Sequence, residues 1–157
     1  MLLYRITEPQ FADDLSGDGA RLYGGRWNPK GIPLIYTSES VALAALEVIV
    51  RLATPKLYSR VTYELPNDVS TELMTIADLP PNWELPFPNI RLLEFEKSWA
   101  KEQRSLALKV PSAVVRGEGW NYLLNPLHPE SRTVRITNIA PFSFDARLLA
   151  KLLPRSK

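Results

Sequence analysis

Cysteine is absent from this 157-residue chain, and histidine occurs once, at His128. Without thiols there is neither a disulfide frame nor a thiolate metal site. A lone imidazole leaves no His-rich zinc centre, so no metal is expected. Long apolar runs are missing too. The longest, residues 41–50, contains Glu47 and holds ten residues, whereas a membrane span needs about twenty. No charged segment followed by an apolar stretch opens the chain, so no signal peptide is visible and a cytoplasmic protein is expected. Charge of one sign is scarce as well. Nineteen basic residues face seventeen acidic ones, for a net charge of +2, and the basic ones form no long block. That argues against a dedicated nucleic-acid surface, and neither nucleic acid nor membrane is an expected partner.

What remains is an ordinary globular composition, 45% hydrophobic and 23% charged, in a length that fits one domain with its own core. Residues 1–157 are read as that single domain. Fourteen prolines predict short elements joined by fixed turns. Residues 2–6 and 34–36 read as strands. Ser38 or Ser40 can cap a helix running to about Leu52 and ended by Thr54-Pro55. This helix is apolar nearly all round, which predicts a central, buried position. Residues 58–65 alternate as a strand, and Pro80, Pro81, Pro86 and Pro88 mark an irregular connection. Leu92, Phe95 and Trp99 give residues 91–104 the pattern of an amphipathic helix. Strands are expected at 106–110 (stopped by Pro111-Ser112), 133–136 and 141–145, with a closing helix over 145–153. The polar stretch 121–129 reads as an ordered loop, and Gly117 and Gly119 before it suggest mobility near a site. The tally points to a compact α+β domain.

Three polar features stand out. In Gly24-Gly25-Arg26-Trp27-Asn28-Pro29, an arginine follows two glycines, where a bare backbone lets a bulky anion approach. Arg26 is either a fork gripping a phosphate or carboxylate or a surface arginine stacked on Trp27. Asn28-Pro29-Lys30-Gly31 is turn chemistry. Glu47 sits among apolar helical neighbours, where a carboxylate is costly without a partner or a task. It either pairs with Arg51 at i+4 or faces a cleft and stabilises developing positive charge. Tyr36 closes the run before that helix, as a site residue or as a core tyrosine. Gly17-Asp18-Gly19 lacks the third glycine and the βαβ frame of a dinucleotide fingerprint. Ser112 and His128 could enter a Ser-His-acid triad, but no nucleophile elbow is present. Together these features suggest a phosphate-bearing, cation-forming substrate.

Taken in order, Gly24–Pro29, Ile35-Tyr36-Thr37-Ser38, Ala44-Ala45-Leu46-Glu47, Val110-Pro111-Ser112-Ala113-Val114, the 121–129 stretch and Phe144-Asp145-Ala146-Arg147 resemble the RES domain. That family is named for an arginine, a glutamate and a serine, which fall on Arg26, Glu47 and Ser112. The resemblance runs from Tyr4-Arg5 to Arg147. It implies a fold similar to ADP-ribosyltransferases, with a split mixed or antiparallel β core and flanking helices. It also implies a toxin of a bacterial toxin–antitoxin pair that depletes NAD+ by hydrolysis or phosphorolysis of the nicotinamide–ribose bond. ADP-ribosylation of a macromolecule is the alternative, and a non-enzymatic interaction module is a third. Arg26, Tyr36, Glu47 and Ser112 would be catalytic. Arg26, Trp27, Tyr36, Ser112, Asn121 and Asn125 would bind NAD+, which is a substrate here, with no cofactor. The implied partner is a helix-turn-helix antitoxin covering the active site, and a homodimer stays open.

Overall fold

Apolar pairs of adjacent residues recur along this chain, and each pair feeds both faces of one sheet. The computed structural model describes residues 1–52, 56–86 and 90–152. Its strands are β1 (Leu2–Thr7), β2 (Ile35–Ser38), β3 (Tyr58–Glu64), β4 (Thr71–Leu73), β5 (Ala107–Pro111), β6 (Trp120–Leu124) and β7 (Arg135–Phe142). The helices are α1 (Asp18–Tyr23), α2 (Val41–Ile49), α3 (Ile90–Lys101) and α4 (Ala146–Leu152). The sheet order is β4-β5-β6-β2-β1-β3-β7. Neighbours run antiparallel except β4 and β5, whose parallel pairing needs a crossover, and α3 lies in it. Thr54-Pro55, Pro88 and Leu153 lie outside the described residues.

Adjacent residues of a strand point to opposite faces, so the sheet carries apolar rows on both. Leu34, Leu108, Val110 and Leu123 join Trp27, Trp83, Leu92 and Trp99 on one face. Leu3, Ile35, Val61, Tyr63, Ala107 and Leu124 gather on the other. Trp99 is fully buried, and its Nε1 donates to Ser105 Oγ at 2.8 Å, which satisfies the one polar atom of the indole.

The α+β class is as expected, and the split takes a particular form. β1 pairs with β3 along six registered residues, from Leu2 with Glu64 to Thr7 with Ser59. With β2 its one registered pair is Tyr4 with Ser38. The sheet is continuous, but this seam is nearly open.

Several expectations are corrected. α2 is peripheral rather than central. It packs on β1 and β2, and Leu43, Ala44 and Ile49 are buried while Ala42, Leu46 and Val50 are exposed. An apolar composition all round therefore did not bring burial all round. The 121–129 loop begins inside β6, which is paired by both β2 and β5. Strand pairing on two sides overrides the weak propensity of Asn121 and the polar character of the segment. The strands expected at 133–136 and 141–145 form the single β7, joined across a register shift opposite Thr62/Tyr63. Phe95 is partly exposed beneath the Arg104 guanidinium, 5.1 Å away, instead of entering the core. α1 and β4 were not anticipated. α1 carries a glycine, which lowers helix propensity, and β4 is only three residues long.

Candidate functional site

The open seam becomes a cleft. Past Tyr4 and Ser38 the two strands diverge, and Arg5, Ile6, Tyr36 and Thr37 line the gap. The gap continues into a wider chamber of about 800 Å³, bordered by Gly24, Gly25, Arg26, Lys30, Glu47, Arg51 and Glu84. Arg26, Glu47, Arg51 and Ala113 border both parts.

Ser40 caps α2 by accepting from Leu43 N at 3.1 Å, and this start sets the rotation that turns Glu47 toward the seam. The Glu47 carboxylate is half-buried. Its Oε1 accepts from Ser112 Oγ at 2.7 Å and from Asn121 Nδ2 at 2.6 Å. The Asn121 amide is oriented in turn by Ser38 Oγ, which donates to its Oδ1 at 2.6 Å. A relay from β2 through β6 thus anchors one carboxylate oxygen. Among the described residues no donor reaches Oε2, and Glu47 lines both parts of the cleft. No ion pair joins Glu47 to Arg51 there, so the surface-pair reading of Glu47 is set aside.

Ser112 is fully buried at the end of β5. The turn behind it is closed by Gly117 N to Ser112 O at 2.8 Å and Ser112 N to Gly119 O at 3.0 Å. Gly117 and Gly119, both at positive φ, permit this tight return. The serine hydroxyl serves Glu47, while His128 Nδ1 accepts from Glu130 N at 3.2 Å at the start of a short helical turn. No triad assembles.

The Gly24–Pro29 segment is tied by Asn28, which is almost wholly buried. Its Nδ2 donates to Ala20 O at 2.8 Å and Ile32 O at 2.9 Å. Its Oδ1 accepts from the Tyr36 hydroxyl at 2.7 Å, and that oxygen accepts from Trp27 N at 3.2 Å. A Cβ on Gly25 would collide with the same hydroxyl, so the glycine is needed for close approach. Tyr36 is therefore both a cleft-lining and a scaffolding residue. Trp27 is core, 6.2 Å from Trp83 between ring centroids, and Arg26 does not stack on it.

Arg26 reaches the cleft, but its guanidinium is engaged. Nη1 donates to Trp83 O and Leu85 O, both at 2.6 Å, and Nη2 to Glu84 O at 3.4 Å. Hydrogen bonds to a charged group contribute about 1.5–3 kcal/mol each, so these contacts fix both the arginine and the 83–85 segment. Burial pulls the Arg26 guanidinium below its ordinary value, Arg51 adds to this by like charge, and Glu47 opposes it. It stays protonated at any physiological pH.

Arg26, Tyr36, Glu47, Ser112 and Asn121 are thus brought together. Asn125 is not. It is fully buried, donates to Ala100 O at 2.9 Å and accepts from Leu127 N at 3.0 Å. Its amide braces the chain after β6, so a substrate-binding role is withdrawn. Reasoning from sequence missed Ser38, Asn28 as a side-chain tie, and Arg51 as a cleft group. The i+4 spacing to Glu47 is the signal for Arg51, which the sequence offers only as an ion-pair partner.

Comparison with known proteins shows the family and the fold. The family model described as the RES domain matches residues 2–145. The Prs ADP-ribosylating toxin of Sphingobium sp. (strain YBL2) is 37% identical over 145 residues, 89% of each chain. Toxin Res of Photorhabdus laumondii is 34% identical over 154 residues, 95% of this chain and 97% of its own. Among solved structures, the M. tuberculosis MbcT–MbcA toxin–antitoxin complex contains a chain that superposes with a TM-score of 0.73 at 22% identity. The match covers 96% of this chain and 87% of that one. At that identity the likeness establishes the fold.

Proposed function

The chain belongs to the RES domain family, and we propose that it is a toxin that cleaves the nicotinamide–ribose bond of NAD+. One observation carries the reading: Glu47 is anchored through Oε1 by Ser112 and Asn121 and lines a cleft that Arg26 and Arg51 also border. Nicotinamide in NAD+ is a cationic leaving group, so its departure needs no general acid. The C1′–N1 bond breaks with its electron pair going to the pyridinium nitrogen, and neutral nicotinamide leaves. The ribose becomes oxocarbenium-like, as in glycoside cleavage. A fixed carboxylate beside that carbon stabilises the charge without reorganising. Ser112 and Asn121 hold the carboxylate in place, and restraint of this kind lowers a barrier by fixing geometry. Water then bonds to C1′ and releases a proton, giving ADP-ribose. Inorganic phosphate at the same carbon would give the 1″-phosphate instead.

A second reading keeps the first step and changes the acceptor to a protein side chain. The Sphingobium relative, an ADP-ribosylating toxin by name, favours it. The partner proposed is an antitoxin with a helix-turn-helix unit that covers the cleft, supported by the toxin–antitoxin complex among the structural neighbours.

The test is to incubate the purified chain with NAD+ labelled in its adenylate half, with and without phosphate and with and without cell extract. Free nicotinamide is expected in every case. The label in ADP-ribose, its 1″-phosphate or a discrete protein band identifies the acceptor. Intact NAD+ throughout would overturn the proposal.

A further inference from the structure

Arg51 stands four residues beyond Glu47, in the turn that follows α2 (Arg51 N to Val48 O at 3.0 Å), and borders both parts of the cleft. It is exposed, and among the described residues no hydrogen bond or ion pair engages its guanidinium. Arg26 is in the opposite condition, with both Nη1 hydrogens and one on Nη2 donated to the carbonyls of residues 83–85. Gripping an anion with Arg26 would strip those carbonyls, whereas Arg51 has nothing to give up. Lys30, also exposed, borders the wide chamber as well. Like charge from Arg51 is felt at Arg26, so the two guanidinia share one electrostatic environment. Neighbouring cations of this kind favour an anion bound between them.

We infer that Arg51 recognises the diphosphate of the dinucleotide, with Lys30 as a second cation, while Arg26 is a positioning residue that holds the 83–85 segment. This rests on the reaction proposed above and assigns its anion-binding group. Glu47 and Arg51 border the same two parts of the cleft, so a ribose held at Glu47 leaves its attached diphosphate within the space that Arg51 lines. A guanidinium matches it with two parallel N–H donors.

The inference is tested by calorimetric binding of ADP-ribose to the wild type, Arg51→Gln and Arg51→Lys. Nicotinamide release from NAD+ is followed in parallel. Arg51→Gln should raise the ADP-ribose Kd at least about tenfold. Arg51→Lys should recover most of the loss, since an ammonium still binds phosphate as a point charge. Inorganic diphosphate should displace ADP-ribose from the wild type. The KM for NAD+ should rise with Kd while kcat changes by less than about threefold, as for a contact made equally before and during the reaction. Melting should be unchanged, because the side chain has no partner to lose. Wild-type affinity in Arg51→Gln, or a wild type that binds neither ADP-ribose nor diphosphate, would overturn it. Binding through Arg51 without nicotinamide release would leave this inference standing and remove the reaction. Release with binding indifferent to Arg51 would do the reverse.

Discussion

β1 has two long sides, and they are made differently. Toward β3 it is paired along its whole length, from Leu2 with Glu64 to Thr7 with Ser59, and Leu3, Val61 and Tyr63 bury that side. Toward β2 it keeps the single pair Tyr4 with Ser38, and the side chains in the gap are Arg5, Tyr36, Glu47 and Arg51. The closed seam consumes the backbone's hydrogen-bonding capacity in a ladder. The open seam leaves room between two well-anchored strands, so polar side chains are positioned by rigid elements while facing a cavity. One strand thus supplies stability on one side and a site on the other.

If that division is right, substitutions on the two seams separate cleanly. Leu3→Ala on the closed seam removes a side chain only 1% exposed and should cost about 2–5 kcal/mol of stability. Its folded fraction should keep the wild-type turnover, as urea unfolding and assays well below the transition will check. On the open seam Ser112→Ala deletes one donor to Glu47 Oε1 and should lower nicotinamide release about tenfold. A rate equal to wild type would break the link between the Glu47 anchor and turnover. Tyr36→Phe straddles the comparison, because its hydroxyl ties Asn28 to Trp27 N. A loss of about 1 kcal/mol in thermal unfolding is expected.

The smallest effect concerns acid. Hydrogen bonds from Ser70 Oγ and N hold the Glu130 carboxyl below its usual range. A depressed folded-state value means that its stabilisation is present above the unfolded glutamate value and is lost as pH falls through the folded one. Glu130→Gln should therefore slightly lower stability near neutrality and flatten the acid limb, so that the two stability curves converge at low pH.

How much was legible in the sequence also differs between the two seams. The strand at 2–6 and the alternating run at 58–65 are legible locally and match β1 and β3 within one residue at each end. Arg26, Tyr36, Glu47 and Asn121, which the family resemblance singled out, line the cleft, and Ser112 lies buried behind Glu47. What local pattern could not supply was pairing. Residues 121–124 look like part of a loop until β2 and β5 flank them, and α2 looks buried because its exposed stripe is apolar. The Arg26 contacts with carbonyls of residues 83–85 are likewise invisible, since backbone acceptors carry no sequence signature. Asn125 shows the converse: adjacent to a strand that reaches the site, it turns to Ala100 and serves the core.

The central claim is that the Glu47 carboxylate, rather than the cleft as a whole, carries the bond cleavage. Steady-state nicotinamide release by wild type and Glu47→Gln, with thermal unfolding of both, tests it most directly. The amide keeps the shape and can still accept from Ser112, but it loses the charge. The account predicts a fall in rate of about a hundred- to a thousandfold, with unfolding midpoints alike. Undiminished release by a folded Glu47→Gln would contradict it.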